Sequence, residues 1–166
     1  MTHKKKKLFI TAEIGLNHNN NYDKTKKLIN LAIKYGASAV KFQLFKTESL
    51  FENKTKEYFF VKKYETKFSF YKKLFIYCKK KKILCYASPF DDYSINFLKK
   101  LKNPIYKFAS SEIDKLENLE KICKTKKKII ISTGMANEND IKKALLICKK
   151  NKNKNIVLMH CVSLYP

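Results

Sequence analysis

Polar side chains of the kinds used in catalysis follow each of six apolar segments in this 166-residue sequence. The apolar segments alternate with amphipathic ones, which is typical of strands that alternate with helices. Because the carboxyl ends of parallel strands meet at one edge of a sheet, these side chains are expected to share one site. The candidates, in chain order, are Glu13, Lys41, Gln43, Ser88, Lys107, Ser110, Glu112, Ser132, Ser163 and Tyr165.

These residue types favour an anionic substrate. Lys41 lies between two apolar residues, so its ammonium group is expected to point into a pocket, and Lys107 is placed similarly. Ammonium groups and serine hydroxyls are strong hydrogen-bond donors to phosphate and carboxylate oxygens. Glu13 and Glu112 are the acidic candidates for proton transfer or for binding substrate hydroxyls. The pattern therefore predicts a barrel-type enzyme that acts on a small anion.

Six strands are predicted to position these side chains. Their expected bounds are Leu8–Ala12, Ala39–Phe45, Ile83–Ala87, Ile105–Phe108, Lys128–Ser132 and Asn155–Met159. Apolar residues at helical spacing predict buried helix faces between the strands. Three such faces comprise Leu28, Leu31, Ala32 and Tyr35; Leu116, Leu119, Ile122 and Cys123; and Ile141, Ala144, Leu145 and Cys148.

Capping and turn residues predict where the helices begin and end. Asp23 is the expected N-cap of the first helix and Gly36 its end, and further helices are expected at Tyr71–Lys82 and Tyr93–Leu101. The stretch Lys46–Phe68 is long for a strand-to-helix loop, and such loops are usually functional or mobile.

The net charge of +23 invites a nucleic-acid interpretation, but its composition argues against one. All 37 basic residues are lysine, whereas arginine is the usual reader of bases and bidentate phosphate ligand. AT-rich codons explain the excess better. The five cysteines are odd in number and form no C-x-x-C pair, which favours reduced thiols and a cytoplasmic protein. No apolar run is long enough for a membrane-spanning helix.

Six motifs in this order resemble the sialic acid synthase family, which comprises N-acetylneuraminate synthase and its legionaminate, pseudaminate and spore-coat relatives. In this sequence they read AEIGLNHN at 12–19, VKFQ at 40–43, ASPFD at 87–91, YKFASSE at 106–112, STGMA at 132–136 and HCVSLYP at 160–166. The third motif reads Ala-Ser-Pro-Phe where Ser-Thr-Pro-Phe is usual in the family, so Ser88 keeps the hydroxyl but loses a methyl group. The sixth has Ser163 where asparagine is frequent. The resemblance covers nearly the whole chain.

The resemblance implies condensation of phosphoenolpyruvate with an N-acetylated amino-sugar aldehyde, such as N-acetylmannosamine, to a nine-carbon 2-keto sugar acid. Glu13 and Glu112 would then be catalytic, and Gln43 and Tyr165 would contact the sugar. The residues expected to bind phosphoenolpyruvate are Lys41, Ser88, Lys107, Ser110, Ser132 and Ser163. The resemblance also implies a divalent metal, Mn²⁺ or Mg²⁺, and a homodimer.

Length predicts an incomplete version of that fold. A (β/α)₈ barrel takes about 250 residues, so the expectation is an α/β, TIM-type barrel with about six βα units and without strands seven and eight. Residues 1–166 would be the N-terminal part, without the family's C-terminal antifreeze-like domain. The family's metal-binding histidines would be missing, since His3, His18 and His160 do not occupy their positions. The isolated chain is therefore expected to be inactive, or to need a separate chain that completes the barrel.

Two alternatives stay open. The chain could be a truncated, non-catalytic protein or a lysine-rich module that binds nucleic acid through its surface and the aromatic Lys46–Phe68 stretch. It could also be another phosphoenolpyruvate-dependent synthase of seven- or eight-carbon keto-sugar acid phosphates, although the motifs fit that group less well.

Overall fold

The computed structural model describes residues 8–164, which form one parallel sheet packed against helices. The sheet order is β1-β2-β3-β4-β5-β6, so strands adjacent in the chain are adjacent in space. Within the described residues β1 and β6 are the two edges, and the sheet is not closed. The predicted α/β fold, an incomplete barrel with six βα units, is confirmed. The strands are β1 (Thr11–Gly15), β2 (Ala39–Leu44), β3 (Leu84–Pro89), β4 (Ile105–Phe108), β5 (Lys128–Ser132) and β6 (Ile156–Met159).

Helical segments connect successive strands, and two short 3₁₀ turns lie at Thr47–Ser49 and Ser110–Glu112. Between residues 8 and 164, no helix is both long and apolar enough to cross a membrane. The helices are α1 (Tyr22–Lys34), α2 (Lys56–Lys62), α3 (Phe68–Lys80), α4 (Asp92–Lys100), α5 (Leu116–Cys123) and α6 (Glu138–Lys150).

Apolar clusters cover both faces of the sheet, and the smaller cluster explains how the candidate residues are aligned. The larger cluster packs the sheet against the helices. The smaller one consists of Ala39, Tyr86, Ile105 and Ile130, on the face that we call the inner face. Side chains alternate between faces along a strand. The residues two positions further along these four strands therefore share the inner face, and they are Lys41, Ser88, Lys107 and Ser132.

The first strand lies later in the chain than predicted. It begins at Thr11 and ends at Gly15, so the predicted bounds Leu8–Ala12 are wrong, and Glu13 lies within the strand and not at its end. The register places Glu13 opposite Lys41 of β2. The prediction followed the apolar residues, but pairing of opposite charges across the strands stabilises a later register.

Helix boundaries follow side-chain caps. The N-cap of α1 is Asn21, whose side chain accepts a backbone N–H of the first turn, so the prediction of Asp23 is wrong. Asp23 lies in that first turn, where a carboxylate is favoured by the helix dipole. Gly36 ends the turn after α1 with a positive φ of 81°, as predicted from its backbone freedom. Helix α6 begins with a capping box between Asn137 and Asp140.

The buried face of α1 differs from the predicted one. Ile29 is fully buried, whereas Leu31 and Tyr35 expose 48% and 77% of their surface. Thr25 is buried as well, because its hydroxyl donates to a backbone carbonyl one turn earlier. A threonine whose hydroxyl is hydrogen-bonded thus lies on the buried face of α1, whereas apolar spacing alone had predicted a different set of residues for that face. Leu145 of α6 is likewise exposed, in contrast to its prediction.

The segment Lys46–Phe68 is ordered rather than an extended loop, since it contains the first 3₁₀ turn and α2. Glu65 organises it by accepting hydrogen bonds from the side chains of Lys46, Lys62 and Thr47. Burial acts to raise the pKa of Glu65, but these hydrogen bonds outweigh it and lower the pKa to about 2. A partly buried carboxylate therefore fixes a segment whose composition resembles a loop.

The two helices whose bounds were predicted, Tyr71–Lys82 and Tyr93–Leu101, agree with α3 and α4 within three residues. Helix α3 begins at Phe68 rather than Tyr71, and α4 is displaced by one residue from the predicted Tyr93–Leu101. The buried face predicted for α5 is confirmed, since Leu119, Ile122 and Cys123 are fully buried.

Candidate active site

A cavity of about 640 Å³ opens at the carboxyl ends of the strands, on the inner face. Its wall includes residues from each of the six strands or from the segment that directly follows the strand. Eight of the ten predicted site residues line it, which are Glu13, Lys41, Gln43, Ser88, Lys107, Ser110, Ser132 and Ser163. Residues separated by up to 150 positions in the chain thus meet because the strands are parallel and in sequence order.

Lys41 is buried at the base of this cavity, with 8% of its surface exposed. Its Nζ lies 2.5 Å from Glu13 Oε2 on one neighbouring strand. It also donates a hydrogen bond of 3.2 Å to Ser88 Oγ on the other neighbouring strand. A buried ammonium with a single carboxylate partner is held in a fixed position and retains donor capacity for a ligand.

Lys107 supplies a second ammonium group to the same wall. Its Nζ donates to Ser132 Oγ at 2.5 Å and to the carbonyl oxygen of Phe108 at 3.0 Å. Burial, reinforced by the nearby charge of Lys41, lowers the pKa of Lys107 to about 8. Lys107 has no carboxylate within salt-bridge distance in residues 8–164, so the cavity carries more positive than negative charge.

The segment after β6 can pack closely against the turn after β5 because residue 134 in that turn is glycine. A Cβ atom at Gly134 would lie 2.6 Å from Ser163 Oγ and 3.2 Å from the carbonyl oxygen of Cys161. The backbone N–H of Gly134 also donates to Ser110 Oγ at 3.0 Å. Ser110 and Ser163 are thereby brought to the wall from two different strand ends.

A second hollow of about 530 Å³ lies below the ammonium groups, along the inner face of the sheet. Glu13, Lys41 and Lys107 line both spaces. Its wall includes apolar residues such as Ile130 and Val157. The interior of a closed barrel is packed with side chains, whereas the described residues leave this space open.

Two predicted site residues are not brought to the cavity wall. Glu112 lies buried in the second 3₁₀ turn, where Lys115 Nζ is 2.9 Å from its Oε1 and its Oε2 has no hydrogen-bond partner among the described residues. Burial raises the pKa of this carboxyl group. Glu112 therefore does not face the cavity in this geometry. Tyr165 lies outside the described residues.

The described histidines also lie away from the wall. His18 is buried, and its Nδ1 accepts the backbone N–H of Asn20 at 3.1 Å, while its ring centroid lies 5.3 Å from that of Phe70. Burial, assisted by the charge of Lys24, lowers the pKa of His18 to about 4. These contacts give His18 a structural role in the loop after β1. His160 is exposed.

Sequence reasoning missed Cys161 and Met135, which also line the cavity. The thiol of Cys161 donates to Ser132 Oγ at 3.3 Å, beside the hydroxyl that accepts from Lys107. The available signal was position, because Cys161 directly follows the polar residue after β6. The number and spacing of the cysteines gave no reason to place Cys161 in a site.

The described residues do not form a metal site by themselves. No three histidine, cysteine or carboxylate side chains between residues 8 and 164 come together as ligands. Glu13 is the only carboxylate on the described cavity wall, and it already pairs with Lys41. A metal ion at this cavity would therefore need ligands from outside residues 8–164.

Known proteins resemble this chain in sequence and in fold. N,N'-diacetyllegionaminic acid synthase from Campylobacter jejuni is 40% identical over 177 aligned positions, which cover 97% of this chain and 53% of that protein. The crystal structure of N-acetylneuraminic acid (sialic acid) synthetase from Leptospira borgpetersenii in complex with citrate superposes with a TM-score of 0.90 at 33% identity. That match covers 100% of this chain and 60% of the other. The chain spans about half the length of the curated relatives it matches.

A more remote likeness concerns the fold alone. Phospho-2-dehydro-3-deoxyheptonate aldolase from Thermotoga maritima superposes with a TM-score of 0.68 at 11% identity, covering 95% of this chain and 43% of that chain. The chain is 33% and 40% identical to the two sialic acid-type synthases but only 11% identical to this aldolase, so its sequence groups with the synthases. A profile of the NeuB family matches residues 28–166, and the six strand ends, their motifs and these relatives agree that the chain belongs to the NeuB family.

Proposed function

We propose that this chain forms the phosphoenolpyruvate-binding part of a sugar-acid synthase. The reaction would join phosphoenolpyruvate to an N-acetylated amino-sugar aldehyde and yield a nine-carbon 2-keto sugar acid and phosphate. The observation that carries the proposal is the convergence of the Lys41 and Lys107 ammonium groups with serine hydroxyls in one cavity. The membership in the NeuB family supports the reaction class.

The charges of the cavity suit this substrate. Phosphoenolpyruvate carries about three negative charges near neutral pH, from its phosphate and its carboxylate. Lys41 and Lys107 would each contact one anionic group, and the hydroxyls of Ser88 and Ser132 would donate to remaining oxygens. A bound anion would also favour the protonated form of Lys107, whose pKa is low in the free protein.

The chemistry assigned to the site is a condensation followed by loss of phosphate. C3 of the enol would form the new bond to the aldehyde carbon, whose oxygen takes up a proton. Water would add at C2, and the C2–O bond to phosphate would break as the keto group forms. Glu13 would exchange a proton with the sugar or bind its hydroxyl groups, and its position on the cavity wall beside Lys41 supports this role.

Gln43 is the residue proposed to contact the acceptor sugar. It lies two positions after Lys41 on β2, on the same face of the sheet, and lines the cavity. An amide side chain can both donate to and accept from sugar hydroxyls and N-acetyl groups. The relative from Campylobacter jejuni is named as a synthase of a diacetylated sugar acid, which is consistent with an N-acetylated acceptor.

A calorimetric titration tests the proposal by comparing phosphoenolpyruvate with its two parts, pyruvate and inorganic phosphate. We expect phosphoenolpyruvate to bind at least tenfold more tightly than either part, because two charge-assisted contacts are made at once. Equal affinity for phosphoenolpyruvate and phosphate would show that the cavity holds only a phosphate group, which contradicts the proposal.

Turnover is a separate readout from binding. With phosphoenolpyruvate, N-acetylmannosamine and Mn²⁺, we expect residues 1–166 alone to form no keto-sugar acid. The described residues supply no complete metal site, and the barrel interior is open at the sheet edges. Product formation by the purified chain would contradict this expectation while leaving the binding proposal intact.

A further inference from the structure

Lysine side chains gather around another hollow, at the end of the sheet opposite the candidate active site. All helix-to-strand connections lie at that end because the strands are parallel. A cavity of about 390 Å³ lies there between the C-terminal ends of α4 and α5. We call it the basic hollow, since four of its lining residues are Lys99, Lys102, Lys124 and Lys127.

Charge in the basic hollow is only partly compensated. No carboxylate lines it, and within residues 8–164 only Lys124 among its lysines forms an ion pair, with Glu120 at 3.2 Å. The two helix C-termini together contribute roughly one negative charge. Four ammonium groups against one carboxylate and these helix ends leave roughly two positive charges in the hollow.

Lys102 lies in the turn after α4, and the chain also carries lysine at four other left-handed positions, Lys54, Lys82, Lys126 and Lys152. Lys102 has a φ of 54°, in the left-handed region. Asparagine adopts that conformation with less strain than lysine, and its codons are equally AT-rich. The helix C-terminus favours a cation at this turn, and the hollow places three further lysines around it.

The size and wall of the hollow suit a small ligand. A volume near 390 Å³ falls in the range of small-molecule sites, and a nucleic-acid duplex is too wide to enter it. Tyr106 and Asn103 add polar side chains to the wall. The amide of Asn103 is held in place by its hydrogen bond of 2.7 Å to the carbonyl oxygen of Ile105.

We propose that the basic hollow binds a small diphosphate anion, at a site separate from the candidate active site. Lys99, Lys102, Lys124 and Lys127 would surround the linked phosphate groups, and Tyr106 would donate from its hydroxyl group. This inference does not depend on the proposed function, because the two cavities share no lining residue.

Calorimetric titration with inorganic pyrophosphate at physiological salt tests the inference. The test variant is Lys102→Asn with Lys127→Gln, because asparagine suits the left-handed backbone at position 102 and the fold should be retained. The matched control is Lys27→Gln with Lys143→Gln, which removes the same charge from exposed positions. We expect one pyrophosphate per chain, about tenfold weaker binding in the test variant, and no more than a twofold change in the control.

A further variant separates this site from the active site. In a Lys41→Met/Lys107→Met background, pyrophosphate affinity should be unchanged, whereas phosphoenolpyruvate affinity should be lost. Equal weakening in the test and control variants would assign the binding to the general surface charge and overturn the inference. Absence of saturable binding would overturn it, and so would loss of pyrophosphate binding in the Lys41→Met/Lys107→Met background.

Discussion

Both ends of the sheet carry lysines, but they present them differently. At the carboxyl end, Lys41 and Lys107 project from strands onto the inner face and donate to serine hydroxyls. At the opposite end, Lys82, Lys102 and Lys152 lie in turns between helices and strands. The chain has 37 lysines, and the count indicates nothing about function. Position on a strand, two residues after a buried apolar side chain of the inner face, distinguishes the two lysines that meet in the cavity.

This contrast has an energetic consequence. Exposed charges contribute little to stability because water and salt screen them. A buried ammonium is costly unless its partners are fixed, so its surroundings must be specific. Substitutions at the carboxyl end should therefore alter phosphoenolpyruvate binding and stability, whereas similar substitutions at the opposite end should have small effects on both.

The largest contrast is expected between two glycines, one at each end. Gly134→Ala places a Cβ atom against Cys161 and Ser163, and we expect a loss of about 1–3 kcal/mol in the free energy of unfolding, as for other overpacked sites. Phosphoenolpyruvate affinity should fall as the wall is displaced. Gly36→Ala meets no atom within 4 Å and should cost only about 1 kcal/mol, from its positive φ.

Chemical denaturation and calorimetric titration of both variants measure these changes. Equal losses of phosphoenolpyruvate affinity in Gly134→Ala and Gly36→Ala would remove the distinction between the two ends.

A pH effect of similar size is expected from His18 near the carboxyl end. Its pKa is about 4 in the folded protein and about 6.5 unfolded, so the unfolded chain takes up a proton first as pH falls. Stability should be lost between pH 6.5 and 4, by about 2 kcal/mol from pH 7 to pH 5. His18→Asn should reduce the pH dependence by this amount in urea unfolding at the two pH values. An unchanged slope would show that His18 does not titrate as its burial implies.

Phosphoenolpyruvate affinity should depend on the proton of Lys107. With a pKa of about 8, the protonated fraction of the free protein falls about tenfold between pH 7 and pH 9. Affinity should fall by up to that factor over this range, because the ammonium form binds the anion. Lys107→Gln should bind more weakly at pH 7 but with a flatter profile. A profile equally steep in the variant would assign the titration to another group.

The smallest effects are expected at the opposite end. Lys82→Asn and Lys152→Asn place a residue that tolerates the left-handed backbone at φ values of 57° and 51°. The free energy of unfolding should change by about 0.5 kcal/mol or less, and phosphoenolpyruvate affinity should not change. Thermal denaturation and titration of both variants check this. A tenfold loss of affinity in either one would mean that the turns at this end shape the active site.

Much of the site could be predicted from sequence because strands impose a simple geometry. Lys41 and Gln43 share a face through the two-residue period of β2, and the serines follow strands whose ends must meet. The same logic could not place Glu112, because a 3₁₀ turn after β4 turns its side chain away from the cavity wall. Side-chain direction in irregular segments depends on contacts that periodicity does not encode.

The errors in the fold have a common cause. Apolar spacing suggested the first strand at Leu8–Ala12 and the α1 face with Leu31 and Tyr35. In the structure, polar pairs decide both features, namely Glu13 with Lys41 and the Thr25 hydroxyl with a helix carbonyl. The predicted dimer, divalent metal and separate completing chain stay predictions.

Titration with phosphoenolpyruvate tests the central claim most directly when two pairs of variants are compared. The first pair is Lys41→Met and Lys107→Met, and the second is Lys27→Met and Lys143→Met on exposed helix positions. We predict that each change in the first pair weakens binding roughly 100-fold, as expected when one member of a buried charged contact is truncated, while the second pair changes affinity less than twofold. Similar affinity in all four variants would contradict the claim that the Lys41 and Lys107 ammonium groups hold the enol phosphate.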